Sequence, residues 1–229
     1  MTGTPREEGP LRFFLAALML SSIGCSEVRY RDSISGGPGI ERIVIRGDVG
    51  LIQLVPSAVA RIDLAIRAPE GAAFVQLKEV EGLLEVSSRC RTPVLCAVDA
   101  EVHVPPNAKV EVELDRGEVW ATGIGSVDIS VGEGEVDVDA LADVTVQIGR
   151  GAARIVAREG QQIRVAVGLG DIDVTVPSTR WNLDIIGSEE TVRGIQRDGN
   201  SQGRLELVAP AGRVKVRGVE PTARDSGLH

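Results

Sequence analysis

Aromatic residues are scarce: three Phe, two Trp and one Tyr in 229 positions. A core built on stacked rings is excluded. Histidine is scarcer still. His103 and the terminal His229 are the only two, which rules out a poly-His metal centre and leaves little room for a His-based triad. Positive charge does not dominate either. The net charge is −8, so no bulk electrostatic grip on nucleic acid is expected. Long apolar runs are missing. The run at residues 13–20 is far shorter than the ~20 residues a membrane-crossing helix needs. No long segment repeats its apolar residues at i, i+3 and i+4 with caps, which speaks against a helical fold.

What the chain has in quantity is valine (31 positions) and glycine (27 positions), a β-rich and turn-rich composition. Arginine outnumbers lysine by 22 to 3.

The N-terminus carries an address. Arg6 and Arg12 precede the apolar run, and Ser21, Ser22, Ile23, Gly24 and Cys25 follow it. A charged stretch, a short apolar stretch and small residues before a cut describe an export signal. The Gly24-Cys25 ending resembles the bacterial lipoprotein signal, which implies that Cys25 is lipidated and becomes the mature N-terminus. Residues 1–24 are then the signal peptide and residues 25–39 a flexible tether. Residues 40–219 form the folded domain, and 220–229 a disordered tail. Removing residues 1–24 takes away two Arg and two Glu, so the mature charge stays at −8 (23 basic minus 31 acidic). Ser26, in place of the Asp that in many lipoproteins marks inner-membrane retention, points to the outer membrane.

Two cysteines remain, Cys90 and Cys96, with five residues between them, Pro93 among these. In an oxidising exported compartment this spacing predicts a disulfide around a pinched loop. No further soft ligand lies nearby for a metal pair.

The informative region begins near Val110. Apolar residues alternate in triplets: Val110, Val112, Leu114; Val127, Ile129, Val131; Val144, Val146, Ile148; Ile163, Val165, Val167. Period two means strands with one buried face. Each triplet runs into glycine: Gly117, Gly134, Gly151 and Gly170 are spaced by 17, 17 and 19 residues. A second short alternating strand follows each. A fixed period of 17–20 residues with two strands per unit predicts an all-β, single-domain β-solenoid. It would be a parallel β-helix-like stack of strand–Gly-turn–strand units. Residues 110–219 carry the regular repeats. Residues 40–104 read as strands without that beat, an irregular start to the same structure.

With the Val102-His103-Val104-Pro105 lead-in and Gly117-Glu118-Val119 opening the repeats, residues 40–219 resemble a bacterial adhesin-named family of unknown function, related to head domains of auto-transporter adhesins. The resemblance implies a β-solenoid at the cell envelope and brings no catalytic residues with it.

Little here reads as catalytic. Carboxylates such as Glu135, Asp137 and Asp139, or Asp171 and Asp173, alternate along strands as a solvated face would. Paired carboxylates serve glycoside hydrolysis, but the loops are short and the mature chain holds only Tyr30, Phe74, Trp120 and Trp181 as aromatics. The Gly-x-Gly turns lack the helix and third glycine of a dinucleotide site. No cofactor and no metal ligand set is expected. Aligning the units on their glycines sorts outward residues into columns: Trp120, Asp137, Arg154, Asp173; Asp128, Thr145, Arg164, Asp184; and Glu118, Glu135, Ala152, Asp171. Glu118 and Glu135 are adjacent like charges beside an outward Trp120; these three residues mark where a binding face would lie, the alternative being a passive pair screened by solvent and salt.

The function expected is a non-enzymatic, lipid-anchored envelope protein presenting a β-solenoid surface for adhesion or scaffolding. Its partners would be the membrane, through the lipid, and a polysaccharide or envelope protein. The alternatives are a periplasmic envelope-stress sensor, a polysaccharide-binding module and, remotely, a carbohydrate-active β-helix enzyme.

Overall fold

The computed structural model describes residues 28–36, 39–69, 71–92, 96–158 and 161–220. The signal peptide, Cys25 and residues 221–229 of the expected tail lie outside them.

Thirteen strands make one sheet among the described residues. They are β1 (Val28–Ser35), β2 (Arg42–Pro56), β3 (Arg61–Ala68), β4 (Ala73–Val80), β5 (Leu83–Cys90), β6 (Ala97–Val104) and β7 (Lys109–Ile124). Then follow β8 (Val127–Ala140), β9 (Val144–Val156), β10 (Gln162–Pro177), β11 (Arg180–Arg193), β12 (Gln196–Arg197) and β13 (Arg204–Val219). The strand order is β1-β3-β6-β2-β7-β8-β9-β10-β13-β11-β12, with β5 also on β2 and β4 on β5. From β2 to β13 the pairings are parallel, whereas β1, β3 and β4 join antiparallel. The sheet is therefore mixed.

The 17-residue beat is the hydrogen-bond register. Val110 pairs with Val127, and Val127 with Val144, so the alternating triplets stack as columns. Ile163 continues the column beside Val144, and Leu205 beside Ile163. These residues are buried and belong to one core cluster. Each buried Val, Ile or Leu contributes roughly 1.5–3 kcal/mol of transfer free energy.

The glycines do not reverse the chain. Gly132, Glu133 and Gly134 lie inside the continuous strand β8, and the ladder runs on through them. They bend the strand into two legs. Val127, Ile129 and Val131 are buried before the bend, and Val136, Val138 and Ala140 after it. The five-residue step from Val131 to Val136 shifts the alternation, so both legs turn their apolar side inward. At the bend Gly117, Gly134, Gly151 and Gly170 have φ between 138° and 156°. Successive backbones also approach closely there: a Cβ on Gly151 would lie 1.6 Å from the Gly134 carbonyl oxygen.

Residues 40–104 build the same stack with insertions. The first leg of β2 pairs with β5 and its second leg with β6, so β5 and β6 together form one further layer. Between the pairs Ile45↔Val86 and Ile52↔Ala100, β2 advances seven residues and the β5–β6 chain fourteen. The extra chain sits at the bend, where the Cys90–Cys96 disulfide pinches it. The bond closes its loop at a gain of about 2 kcal/mol in the chain-entropy model. Asp48 adds a tie, accepting from the Cys90 N–H at 2.8 Å.

The two ends of the stack differ. At one end the antiparallel strands β4, β3 and β1 cover the parallel layers. Here the structure departs from the expected tether over 25–39, because Val28–Ser35 pairs with β3 along its whole length. At the other end β13 slips between β10 and β11, leaving β11 outermost apart from the two residues of β12. Glu190, which is exposed, takes the register position beside the buried Val214 in the apolar column there. A charge in the apolar column of an outer strand discourages pairing with another chain.

Candidate functional site

The outer face of the second legs carries the candidate site. Outward residues alternate with the buried Val119, Val136 and Ala153, and register sets them in rows across the sheet. One row runs Asp63, Glu101, Gln53, Trp120, Asp137, Arg154, Asp173, Lys215. The next runs Leu51, Glu118, Glu135, Ala152, Asp171. Glu118, Trp120 and Glu135 therefore lie together, as the sequence places them. Trp120 is 46% exposed, an unusual position for the largest side chain.

A groove of about 660 Å³ adjoins this patch. Its lining includes Ser33, Leu51, Gln53, Asp63, Asp99 and Glu101. Leu51 and Gln53 are the cross-strand neighbours of Glu118 and Trp120, so groove and patch are continuous. Sequence reasoning missed the groove because β3, β6 and β2 meet only through long-range pairing. The partial signal was the alternation of Asp63, Asp99 and Glu101 along their strands.

Most charges on this face are already paired. Asp99 accepts from Arg67 Nη2 at 2.7 Å and from the Leu51 N–H at 3.0 Å. Arg154 Nη1 donates to Asp137 at 3.2 Å. Arg217 Nη2 donates to Asp173, and Arg213 to Asp171 through its backbone N–H and its guanidinium. The Arg213 hydrogen bonds hold the Asp171 carboxyl below the usual carboxylate range. By contrast, Glu118 and Glu135 have no hydrogen-bond or ion-pair partner among the described residues.

The lone His103 has neighbours that the sequence did not reveal. Its Nε2 lies 3.3 Å from Asp63 Oδ2 and 3.1 Å from Glu101 Oε1. The three side chains bring possible ligand atoms within 4.8 Å of one another. Arg61 already supplies the cation: its Nε and Nη2 donate to Asp63, and Nη2 lies 3.3 Å from His103 Nε2. A metal ion would have to displace a charge-assisted bond, so the group reads as an ion-pair network.

One sequence expectation changes, and one position that the sequence left open is now placed. Arg164 does not stand beside Asp184. It pairs in register with Glu206, 3.4 Å away, because β13 intervenes, and Glu206 in turn pairs with Asp184. Trp181 is fully buried at the β11 end of the core and donates from Nε1 to the Pro177 carbonyl at 3.2 Å.

On the first legs, Asp128 sits in register with Glu111. Burial, and then the Glu111 charge, hold its carboxyl above the ordinary range. The folded state therefore binds this proton more tightly than the unfolded chain does, and stability falls as pH rises through the raised value. Asp128→Asn is expected to stabilise the protein near pH 7, with a smaller gain near pH 3. Denaturation midpoints at both pH values check this, and an equal gain at both would refute it.

No family model and no curated protein matches the chain. Solved structures do resemble it. A protein provisionally named a cell adhesion protein, from Clostridium sporogenes, is 11% identical over 84% of this chain and 100% of its own, with a TM-score of 0.45. A provisionally named adhesin from Bacteroides fragilis is 15% identical over 84% and 99%, with a TM-score of 0.34. Another from Parabacteroides merdae is 12% identical over 82% and 96%, with a TM-score of 0.31. Their names agree with the resemblance noted in the sequence.

Proposed function

We propose that the protein is a non-enzymatic, lipid-anchored envelope protein whose parallel layers form a β-solenoid that presents the Trp120 face as an adhesive surface for glycans. The observation that carries this is Trp120 itself. A rigid ring stands exposed on a registered sheet, beside a groove lined with carboxylates and an amide. A sugar ring stacks its apolar face on indole and offers its hydroxyls to neighbouring acceptors. Glu101, Gln53, Glu118 and Glu135 supply acceptors within the adjoining rows.

Retention on insoluble cell-wall polysaccharide tests this reading. The full chain is expected to be retained, and Trp120→Ala to lose most of that retention with an unchanged melting curve. Equal retention of both would exclude the face. The anchor is tested separately. Cys25→Ala is expected to move the protein from the detergent phase to the aqueous phase, and unchanged partitioning would refute lipidation.

A further inference from the structure

Cys25 and one corner of the fold are closer in the chain than a tether would leave them. Strand β1 starts at Val28, three residues after Cys25. Three residues span at most about 11 Å, so a lipid on Cys25 brings the start of β1 to the membrane surface. A series of short contacts leads from there to an exposed ring. Val28 pairs with Ala68. The Ala72 N–H donates to the Pro69 carbonyl, and the Arg91 N–H to the Ala72 carbonyl. Ala73 then pairs with Cys90, and Phe74 with Arg89, beside the disulfide. Phe74 is 50% exposed, and the Arg91 guanidinium lies 4.8 Å from its ring centroid. Arg89, directly opposite Phe74 on the hairpin, is exposed on the same face. Arg46 and Arg67 nearby are held by carboxylates. Arg89 and Arg91 have no carboxylate partner among the described residues.

Resting on the lipid anchor proposed above, we infer that this corner is seated on the bilayer that holds Cys25: Phe74 enters the interface, and Arg89 and Arg91 bind lipid phosphates. An apolar ring among basic residues suits the boundary between headgroups and acyl chains. The planar fork of a guanidinium matches a phosphate. Attraction to an anionic surface fades within a Debye length, about 8 Å in physiological salt, so it needs the close approach that the short link enforces. The far tip of the β4–β5 hairpin carries Glu79 and Glu81, which the same surface repels. The contact is therefore a corner and not the whole end of the stack. The Trp120 face stays open to its ligand, because β7 stands four strands from β1, about 19 Å away.

The test places the lipidated full chain in vesicles of phosphatidylethanolamine and phosphatidylglycerol at about 3:1, brominated on the upper acyl chains, and reads tryptophan quenching. Phe74→Trp is expected to add emission that loses at least about half its intensity to the bromines. Wild type, whose Trp120 and Trp181 stand away from this corner, is expected to lose little. Val80→Trp, an exposed position at the far tip of β4, is expected to stay unquenched. Adding Arg89→Glu/Arg91→Glu to Phe74→Trp is expected to remove most of the quenching, while the lipid keeps the protein floating with the vesicles. Melting curves establish that the variants fold. Vesicle-bound Phe74→Trp that is quenched no more than Val80→Trp would overturn the inference and leave the anchor standing. So would quenching that survives the charge reversal. Wild type that fails to float with the vesicles would overturn the anchor and the inference together.

Discussion

Gly151→Ala is expected to destabilise the protein by about 4 kcal/mol or more, while Ala152→Val next to it changes stability by less than about 1 kcal/mol. The asymmetry has two causes. Gly151 has φ of 145°, which side chains rarely adopt. Its Cβ would also meet the Gly134 carbonyl oxygen at 1.6 Å, and that atom is backbone held in the next layer. Relief requires the layers to separate, which costs hydrogen bonds on both sides of the bend. Ala152 points outward between Glu135 and Asp171, where a β-branched residue suits a strand. Denaturant unfolding of both variants measures the difference. Comparable losses would mean that the bend tolerates a side chain and that the layers are not in such close contact.

Trp181→Ala is expected to cost about 3–5 kcal/mol, the range for emptying a fully buried aromatic site. Trp181 has no exposed surface, and its ring lies so close to Gly203 that a Cβ there would meet it at 2.8 Å. The same substitution removes the Nε1 bond to Pro177. Trp181→Phe keeps most of the packing and is expected to lose about 1–2 kcal/mol through the unpaired carbonyl. If alanine costs no more than phenylalanine, Trp181 does not close the core at this end.

The two tryptophans show where the sequence was legible. Trp120 alternates with Val119 in a strand whose neighbours repeat 17 residues away, so local pattern places it outward and beside Asp137. The register confirms both. Trp181 sits after Pro177-Ser178-Thr179, where the repeat breaks, and no local period tells which way it faces. Stacking order was equally hidden. A repeat predicts that a strand pairs with the next one, which holds from β7 to β10. The chain then leaves the stack for β11 and returns as β13 into the gap, so Arg164 finds Glu206 and not Asp184. Nothing in the spacing records this crossing. The groove was hidden for the same reason: Asp63 reaches His103 across 40 residues, through an antiparallel pairing that the alternation of β3 does not encode. Strand β1 escaped because its polar composition reads as linker, and its order comes from pairing with β3.

The claim that the Trp120 face is the adhesive surface is tested most directly by oxidative footprinting of the two tryptophans, with and without saturating cell-wall polysaccharide. Trp181 is buried and is expected to stay unmodified in both conditions, serving as the internal reference. Trp120 is expected to be modified readily in the free protein and protected several-fold when the polysaccharide is bound. Labelling of Trp120 that stays unchanged while the polysaccharide is demonstrably bound would contradict the account and move the binding surface elsewhere on the molecule.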